Sequence, residues 1–108
     1  MNSILDNMIV DGFEWDQGNL LKNLLKHGVT FFEAEEVFYN EPLLFFHDEK
    51  HGGTEKRFIA FGKTHQGKFL TVAFTLRTKK GKILIRVISA RPMHRKEKLL
   101  YEKTISQN

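Results

Sequence analysis

The sequence predicts an α+β domain in which helices pack on a small twisted antiparallel sheet of about four strands. Two helical stretches with start and stop signals fill most of the first 40 residues. Four apolar or alternating runs, separated by short polar turns, follow over residues 43–88, and a basic helical stretch comes after them. Because the strands follow one another instead of alternating with helices, an antiparallel sheet with segregated helices is favoured over a parallel one.

The size and composition suit one domain. The chain has 108 residues, of which 41% are hydrophobic and 28% charged, so we expect a single domain over residues 1–108. It has no cysteine, which excludes a thiol nucleophile and a disulfide framework and suits the reducing cytoplasm. We expect neither a signal peptide nor a membrane span, because no apolar run has the required length.

The first helix is predicted from Asp16, a good N-cap residue, to the stop at Gly28. The segment before it, residues 8–15, reads as a short edge strand. In the helix, leucines form one stripe, which makes it amphipathic. These leucines are Leu20, Leu21, Leu24 and Leu25. The predicted outer face carries Asn19, Lys22, Asn23 and Lys26, with His27 in the last turn.

A second helix and the strands follow. Thr30 and Glu33 have the spacing of a capping box, so this helix should extend to about Tyr39 and end before Pro42. Strands are predicted at residues 43–47, 56–63 and 68–77, with turns at 64–67 and 79–82.

The run at residues 83–88 is apolar except for Arg86, as expected of a central strand that is covered on both faces. Pro92 fits the first position of a last helix. On that helix Arg91, His94, Arg95 and Lys98 would share one face beside Tyr101. Cations in a first turn oppose the helix dipole, which indicates an anion site. The alternative is a charged face exposed to solvent.

Charge is distributed unevenly along the chain. Residues 1–49 hold two basic and ten acidic side chains, whereas residues 50–108 hold fifteen basic and three acidic ones. Such asymmetry indicates a second half that meets a polyanion. Alternatively, the two halves neutralise each other within the fold.

The histidines and acids of the loop after the predicted strand at 43–47 do not have the spacing of a metal motif. These residues are His47, Asp48, Glu49 and His51. The sequence also lacks a Walker loop, a dinucleotide fingerprint, GxSxG and HExxH. We therefore predict no metal and no cofactor.

Arginines at structured positions are the strongest candidates for chemistry. They are Arg57, Arg77, Arg86 and Arg91. Arg86 must either be paired, with Glu97 or a first-half carboxylate, or line a cleft. Arginine forks suit a phosphodiester whose charge grows in the transition state, and a metal-free ribonuclease needs little beyond such clamps, an acid and a base.

An ordered set of short motifs resembles the BrnT family of toxins. It runs from Trp15-Asp16 through KHGV (26–29), FEA (32–34), VF (37–38), EKRF (55–58), TLR (75–77) and RVISAR (86–91) to Glu97 and Tyr101-Glu102. The resemblance covers about residues 13–102. It implies a RelE-like fold and a type II toxin that cleaves RNA without metal and stops translation.

The resemblance also implies a cytoplasmic protein with a BrnA-type ribbon-helix-helix antitoxin as its partner. Operator DNA would be bound only through the antitoxin complex, and a homodimer or a heterotetramer with antitoxin is expected. The chain departs from the family pattern at Gln17, where a proline is frequent, and at Phe74 and Leu76, where the family often has tyrosine and an acidic residue. A non-catalytic binding module, derived from a degenerate toxin, is the alternative function.

On this basis we predict the following site. Phosphate and transition-state clamps are Arg57, Arg77, Arg86 and Arg91. Proton transfer falls to His27 or His94, or to Glu97 with Tyr101. The RNA backbone is held by Lys22, Lys26, Arg95 and Lys98.

Overall fold

The chain forms a five-stranded mixed sheet with helices on both sides. The structure, a computed structural model, describes residues 10–50 and 55–106. The strands are β1 (Gly12–Glu14), β2 (Leu44–His47), β3 (Phe58–Lys63), β4 (Phe69–Lys79) and β5 (Lys82–Pro92). The helices are α1 (Gln17–His27), α2 (Phe31–Glu36), which continues as a short 3-10 helix (Val37–Tyr39), and α3 (Arg95–Ser106).

The sheet confirms the predicted antiparallel meander but adds a fifth strand. Its order is β1-β5-β4-β3-β2, and β2 to β5 pair in antiparallel fashion. β1 lies at the edge, as predicted, but pairs in parallel with β5 through Phe13 and Ile85. The prediction of about four antiparallel strands was therefore too low by one strand, and the middle strand is β4 instead of β5. Residues 8 and 9 of the predicted edge segment lie outside the described residues.

Local signals set several element boundaries correctly. Asp16 caps α1 by accepting a hydrogen bond from the Asn19 amide, and Gly28 ends it with a φ of 67°. Thr30 and Glu33 form the predicted capping box. The β4–β5 hairpin turns at Lys80 and Gly81, both with positive φ, which is the geometry of a two-residue turn that matches strand twist.

α1 is oriented opposite to the prediction. Its buried residue is Asn23, with 2% exposure, whereas Leu25 is 76% exposed. β1 covers only part of the outer edge of β5, so the remaining backbone donors of this edge need other acceptors. α1 packs there, and Asn23 Oδ1 accepts a hydrogen bond from the Ala90 amide at 3.2 Å. Satisfying the backbone donors at this edge of β5 therefore outweighs burying the leucine stripe of α1.

β5 is longer than predicted, and Pro92 ends it instead of beginning a helix. Arg91 still pairs with Thr71, Pro92 pairs with Leu70, and the Met93 amide donates to the Phe69 carbonyl. Strand pairing therefore continues up to the proline. Pro92 is the last residue of the strand, so no further backbone N–H is required from it. α3 starts at Arg95, so Arg91 is not part of that helix.

The two faces of the sheet differ in character. The core lies between one face and the α1–α2 side, and is formed by residues such as Val37, Phe38, Val72, Phe74 and Val87. α3 covers part of the opposite face, where the Tyr101 and Phe69 rings are 5.9 Å apart. None of the helices within residues 10–50 and 55–106 is long and apolar enough to cross a membrane.

Candidate nucleic-acid interface

Alternation along the strands brings arginines together on the face opposite the core. Thr75 of β4 is paired with Arg86 of β5, and Arg77 lies two residues further on the same side of β4. Arg57 directly precedes β3, whose first pair is Phe58 with Phe74, so it extends this row beside Thr75. We call this surface, formed by Arg57, Thr75, Arg77 and Arg86, the arginine face.

Each arginine of this face is paired with one carboxylate, but loosely. The distances are 3.8 Å from Arg57 Nε to Asp48 Oδ2, 3.3 Å from Arg77 Nε to Glu55 Oε1 and 3.6 Å from Arg86 Nη2 to Asp16 Oδ2. Ion pairs at these distances make no hydrogen bond in the structure and are weak; where such pairs are exposed they contribute about 1 kcal/mol at most. The guanidinium groups therefore remain available to a stronger anionic ligand.

A cavity of about 510 Å³ opens on this face. It is lined by Glu14, Trp15, Asp16, Arg77, Thr78, Lys79 and Arg86. Both alternatives for Arg86 are thus realised together, because its partner is a first-half carboxylate and its side chain, 26% exposed, also lines a cleft.

A second group of predicted residues meets where α1 ends and α3 begins. We call it the basic corner, and it consists of Lys26, His27, Arg91, His94 and Lys98. A cleft of about 430 Å³ lies here, with His27, Pro92 and Lys98 among its lining residues. The pKa of His27 is lowered, first by burial and then by the positive charge of Lys26 and Arg91, so its imidazole is neutral at pH 7.

Arg91 and Glu97 form a tight pair within the corner. Arg91 Nη1 donates to Glu97 Oε1 at 2.7 Å, and Nη2 donates to Oε2 at 2.9 Å. Oε1 also accepts from the His94 amide and the Thr71 hydroxyl. Burial alone would raise the pKa of Glu97, but these donors lower it to about 2.

These contacts correct two expectations. The anion predicted at the start of the last helix is the carboxylate of Glu97 itself, which takes the His94 amide. Four donors stabilise the ionised carboxylate of Glu97, which does not favour proton transfer. Its contacts instead connect the start of α3 to the end of β5.

Tyr101 is fully buried, with 0% exposure, and its hydroxyl donates to the Pro42 carbonyl. Burial raises its pKa. It therefore anchors α3 beneath the surface, and its predicted role in proton transfer has no support from this position.

The remaining predicted residues are exposed basic side chains. Lys22 and Lys26 lie on α1, and Arg95 and Lys98 on α3. Lys98 Nζ also lies 4.7 Å from the centre of the Phe69 ring, which tethers it near the corner.

The arginine face lies beside the middle of β5, at Arg86, and the basic corner lies at its end, at Arg91. The two arginines are five positions apart, which corresponds to roughly 15 Å along a strand. The predicted residues therefore form two cationic groups along one strand instead of one compact centre.

The departures from the family pattern at Phe74 and Leu76 do not touch the arginine face. Phe74 is buried with 1% exposure and its ring packs on Phe38, and Leu76 packs against the same core. A tyrosine hydroxyl at position 74 would start in the core and not beside Arg77.

Part of the charge asymmetry is neutralised by ion pairs within the fold. Ion pairs within the described residues join first-half acids to second-half bases: Asp48–Arg57, Glu33–Lys68, Glu14–Lys79 and Asp16–Arg86. The intramolecular alternative thus has direct support, while the basic corner keeps several cations at the surface. Residues 10–50 and 55–106 contain no group of three or more histidines and acids placed to hold a metal ion; His51 lies outside them.

The sequence patterns did not predict Glu14, Asp16 and Thr75 as members of the site. Thr75 had a detectable signal, because strand alternation already placed it on the side of Arg77. Asp16 was recognised only as a helix cap. Its second role depends on the parallel pairing of β1 with β5, which puts Glu14 beside Arg86.

An α+β fold with a cationic sheet face and a basic corner defines a small protein suited to an anionic polymer. Over residues 15–97 the sequence matches the family model described as "Ribonuclease toxin, BrnT, of type II toxin-antitoxin system". The chain therefore belongs to the BrnT family of ribonuclease toxins. This membership implies an antitoxin partner and an RNA substrate.

A solved structure shows the same fold. It is the crystal structure of the Brucella abortus ribonuclease toxin BrnT, with 22% sequence identity and a TM-score of 0.56. The alignment covers 78% of this chain and 97% of the Brucella chain. A comparison with curated protein sequences found no match.

Proposed function

We propose that residues 1–108 form one toxin domain that cleaves RNA without a metal ion and thereby stops translation in the cytoplasm. The observation that carries this proposal is the common face of Arg57, Arg77 and Arg86, which points away from the core. Guanidinium groups on a rigid sheet bind phosphates of an RNA strand and thereby position the bond that is cleaved.

The RNA strand would lie along β5, from the arginine face to the basic corner. A span of roughly 15 Å accommodates two to three successive phosphates of a single strand. Lys26 and Lys98 would hold the backbone at the corner by charge, and the exposed Lys22 and Arg95 would hold it on the adjoining surfaces of α1 and α3. Arg91 would contribute charge but stays bound to Glu97.

Metal-free cleavage needs a base and an acid. The 2′-oxygen would attack the adjacent phosphorus while the base takes its proton, and the P–O5′ bond would break as the acid protonates the leaving 5′-oxygen. Among the predicted candidates we retain His27 and His94. Neutral His27 suits the base, and His94, in the same basic corner, would act as the acid. Cleavage would therefore occur at the corner, while the arginine face binds a phosphate roughly 15 Å further along the strand.

We further propose that a BrnA-type ribbon-helix-helix antitoxin neutralises the chain, in a heterotetramer that binds operator DNA through the antitoxin. A groove of about 710 Å³ between α1 and α2 supports a protein partner. Its lining includes Leu21, Leu24, Phe31 and Phe32, all exposed. Exposed apolar surface of this extent marks protein interaction sites.

The proposal is tested with purified chain and total RNA in excess EDTA. Cleavage by the wild type, abolished in Arg86→Met with the fold retained, would support it. Binding of RNA with steep salt dependence but no cleavage would instead support the non-catalytic binding module.

A further inference from the structure

Three buried hydrogen-bond donors of the arginine face have no acceptor within residues 10–50 and 55–106. They are the Thr75 hydroxyl, Arg57 Nε and Arg77 Nε. Thr75 is only 2% exposed, so water does not replace the missing partner at its surface. Buried polar groups are nearly always satisfied, and exceptions call for an explanation.

The neighbouring carboxylates do not supply this explanation. Arg57 Nε lies 3.8 Å from Asp48 Oδ2, which is too long for a hydrogen bond. Arg77 Nε is 3.3 Å from Glu55 Oε1, but the direction of its N–H does not meet hydrogen-bond geometry, so an ion pair exists without a hydrogen bond. Within the described residues 10–50 and 55–106, both N–H groups therefore remain to be satisfied.

The three donors lie side by side. Arg57 and Thr75 occupy adjacent positions across β3 and β4, and Arg77 follows Thr75 by two residues on the same face. Arg86 is paired with Thr75 from the other side. Guanidinium groups only donate, so the missing ligand must be an acceptor, and the surplus positive charge selects an anion.

We propose that Thr75, with Arg57 and Arg77, forms a subsite for one phosphate group of the RNA strand. The two guanidinium groups would leave their loosely held carboxylates for the phosphate, and the Thr75 hydroxyl, uncovered by this movement, would donate to a phosphate oxygen. The subsite rests on the proposed RNA substrate, and it assigns a substrate contact to an uncharged residue. A tetrahedral phosphate has enough acceptor oxygens to take all three donors at once.

The substitution Thr75→Val tests this directly, because valine keeps the shape and the strand preference but removes the hydroxyl. Since the hydroxyl is unsatisfied in the free protein, its loss should leave the unfolding midpoint unchanged or higher. Affinity for the ligand should fall about tenfold to 100-fold, as expected for a hydrogen bond to a charged group. Thr75→Ser should bind within about threefold of the wild type.

The probe is a short single-stranded RNA with 2′-O-methyl groups, which binds but cannot be cleaved. Affinity is measured by titration at several salt concentrations. Thr75→Val should lower affinity without changing the salt slope, because no charge is lost. Arg57→Gln should reduce the slope by about 0.7, the value for one phosphate contact on a single strand.

Thr71→Val is the matched control. Thr71 is four residues away on the same face of β4, but its hydroxyl already donates to Glu97 at 3.1 Å. This variant should lose stability and keep its affinity for the RNA probe. Equal losses of affinity in Thr71→Val and Thr75→Val would overturn the subsite.

The other outcomes are equally decisive. Wild-type affinity in Thr75→Val overturns the subsite, even if the chain cleaves RNA. A chain that leaves unmodified RNA intact but binds the probe through Thr75 refutes the ribonuclease proposal and supports the subsite. If Thr75→Val failed to fold, Thr75→Ala would replace it, and unchanged affinity in that variant would overturn the proposal.

Discussion

Arg91 donates hydrogen bonds to both carboxylate oxygens of Glu97, at 2.7 and 2.9 Å, and thereby connects the start of α3 to the end of β5. Both side chains are about three-quarters buried. Removing one partner leaves the other as a partly buried, uncompensated charge, which is costly.

Arg91→Ala should therefore lower the free energy of unfolding by about 2–4 kcal/mol. The measurement is urea denaturation of the purified variant. Arg95→Ala is the control, since Arg95 is exposed, and should change stability by less than about 0.5 kcal/mol. An Arg91→Ala chain as stable as the wild type would contradict a stabilising role for the Arg91–Glu97 pair.

The same pair predicts a loss of stability in acid. The pKa of Glu97 is about 2 in the folded chain and 4.5 in the reference state, so the folded chain holds this carboxylate more tightly in its ionised form. The stabilisation is complete above about pH 4.5 and is lost as the pH falls toward 2. Glu97→Gln should be less stable at pH 7, with a shallower loss between these pH values. An identical acid profile in both chains would exclude this carboxylate as a contributor.

Arg86→Met should abolish RNA cleavage and leave stability nearly unchanged. The loss of a phosphate contact that positions the bond to be cleaved reduces the cleavage rate about 10²-fold. The ion pair with Asp16 at 3.6 Å is loose, so unfolding should shift by less than about 1 kcal/mol. Initial cleavage rates and thermal midpoints measure both quantities. A destabilised variant with normal cleavage would show that the arginine is structural.

His27→Gln should remove the acidic limb of the pH–rate profile. The lowered pKa of His27 places that limb below about pH 6.5, where protonation of the imidazole would block its action as a base. His65→Gln serves as the control, because His65 lies in the turn between β3 and β4 and contacts Asn40. A profile that keeps its acidic limb in His27→Gln would assign proton transfer elsewhere.

Leu24→Glu combined with Leu21→Glu should weaken antitoxin binding by at least about 30-fold, a typical loss for a central contact, because both side chains line the groove. The fold should be preserved, since the two side chains are 47% and 57% exposed. Co-purification with a co-expressed antitoxin candidate, followed by titration, measures the effect. Leu99→Glu, equally exposed on α3, should bind normally. Full affinity in the double variant would place the antitoxin on another surface.

The sequence predicted the features that depend on neighbouring residues. Caps at Asp16 and Thr30, the stop at Gly28 and the turn at Lys80-Gly81 all follow from local backbone requirements. The arginine face could also be predicted in part, because alternation in β4 determines the side of the sheet on which Arg77 lies.

Features that depend on tertiary pairing could not be predicted in this way. The free edge of β5 turns Asn23 inward and leaves the leucines outside, and nothing within α1 indicates this. The extension of β5 through Pro92 likewise requires its partners in β4. The basic corner forms only because these two effects bring His27 close to Arg91.

RNA cleavage in excess EDTA, compared between the wild type and Arg86→Met, tests the central proposal most directly. We predict rapid fragmentation of RNA by the wild type and intact RNA with an equally folded Arg86→Met chain. Intact RNA with folded wild-type protein, or equal cleavage by both chains, would contradict a metal-independent ribonuclease that binds its substrate on the arginine face.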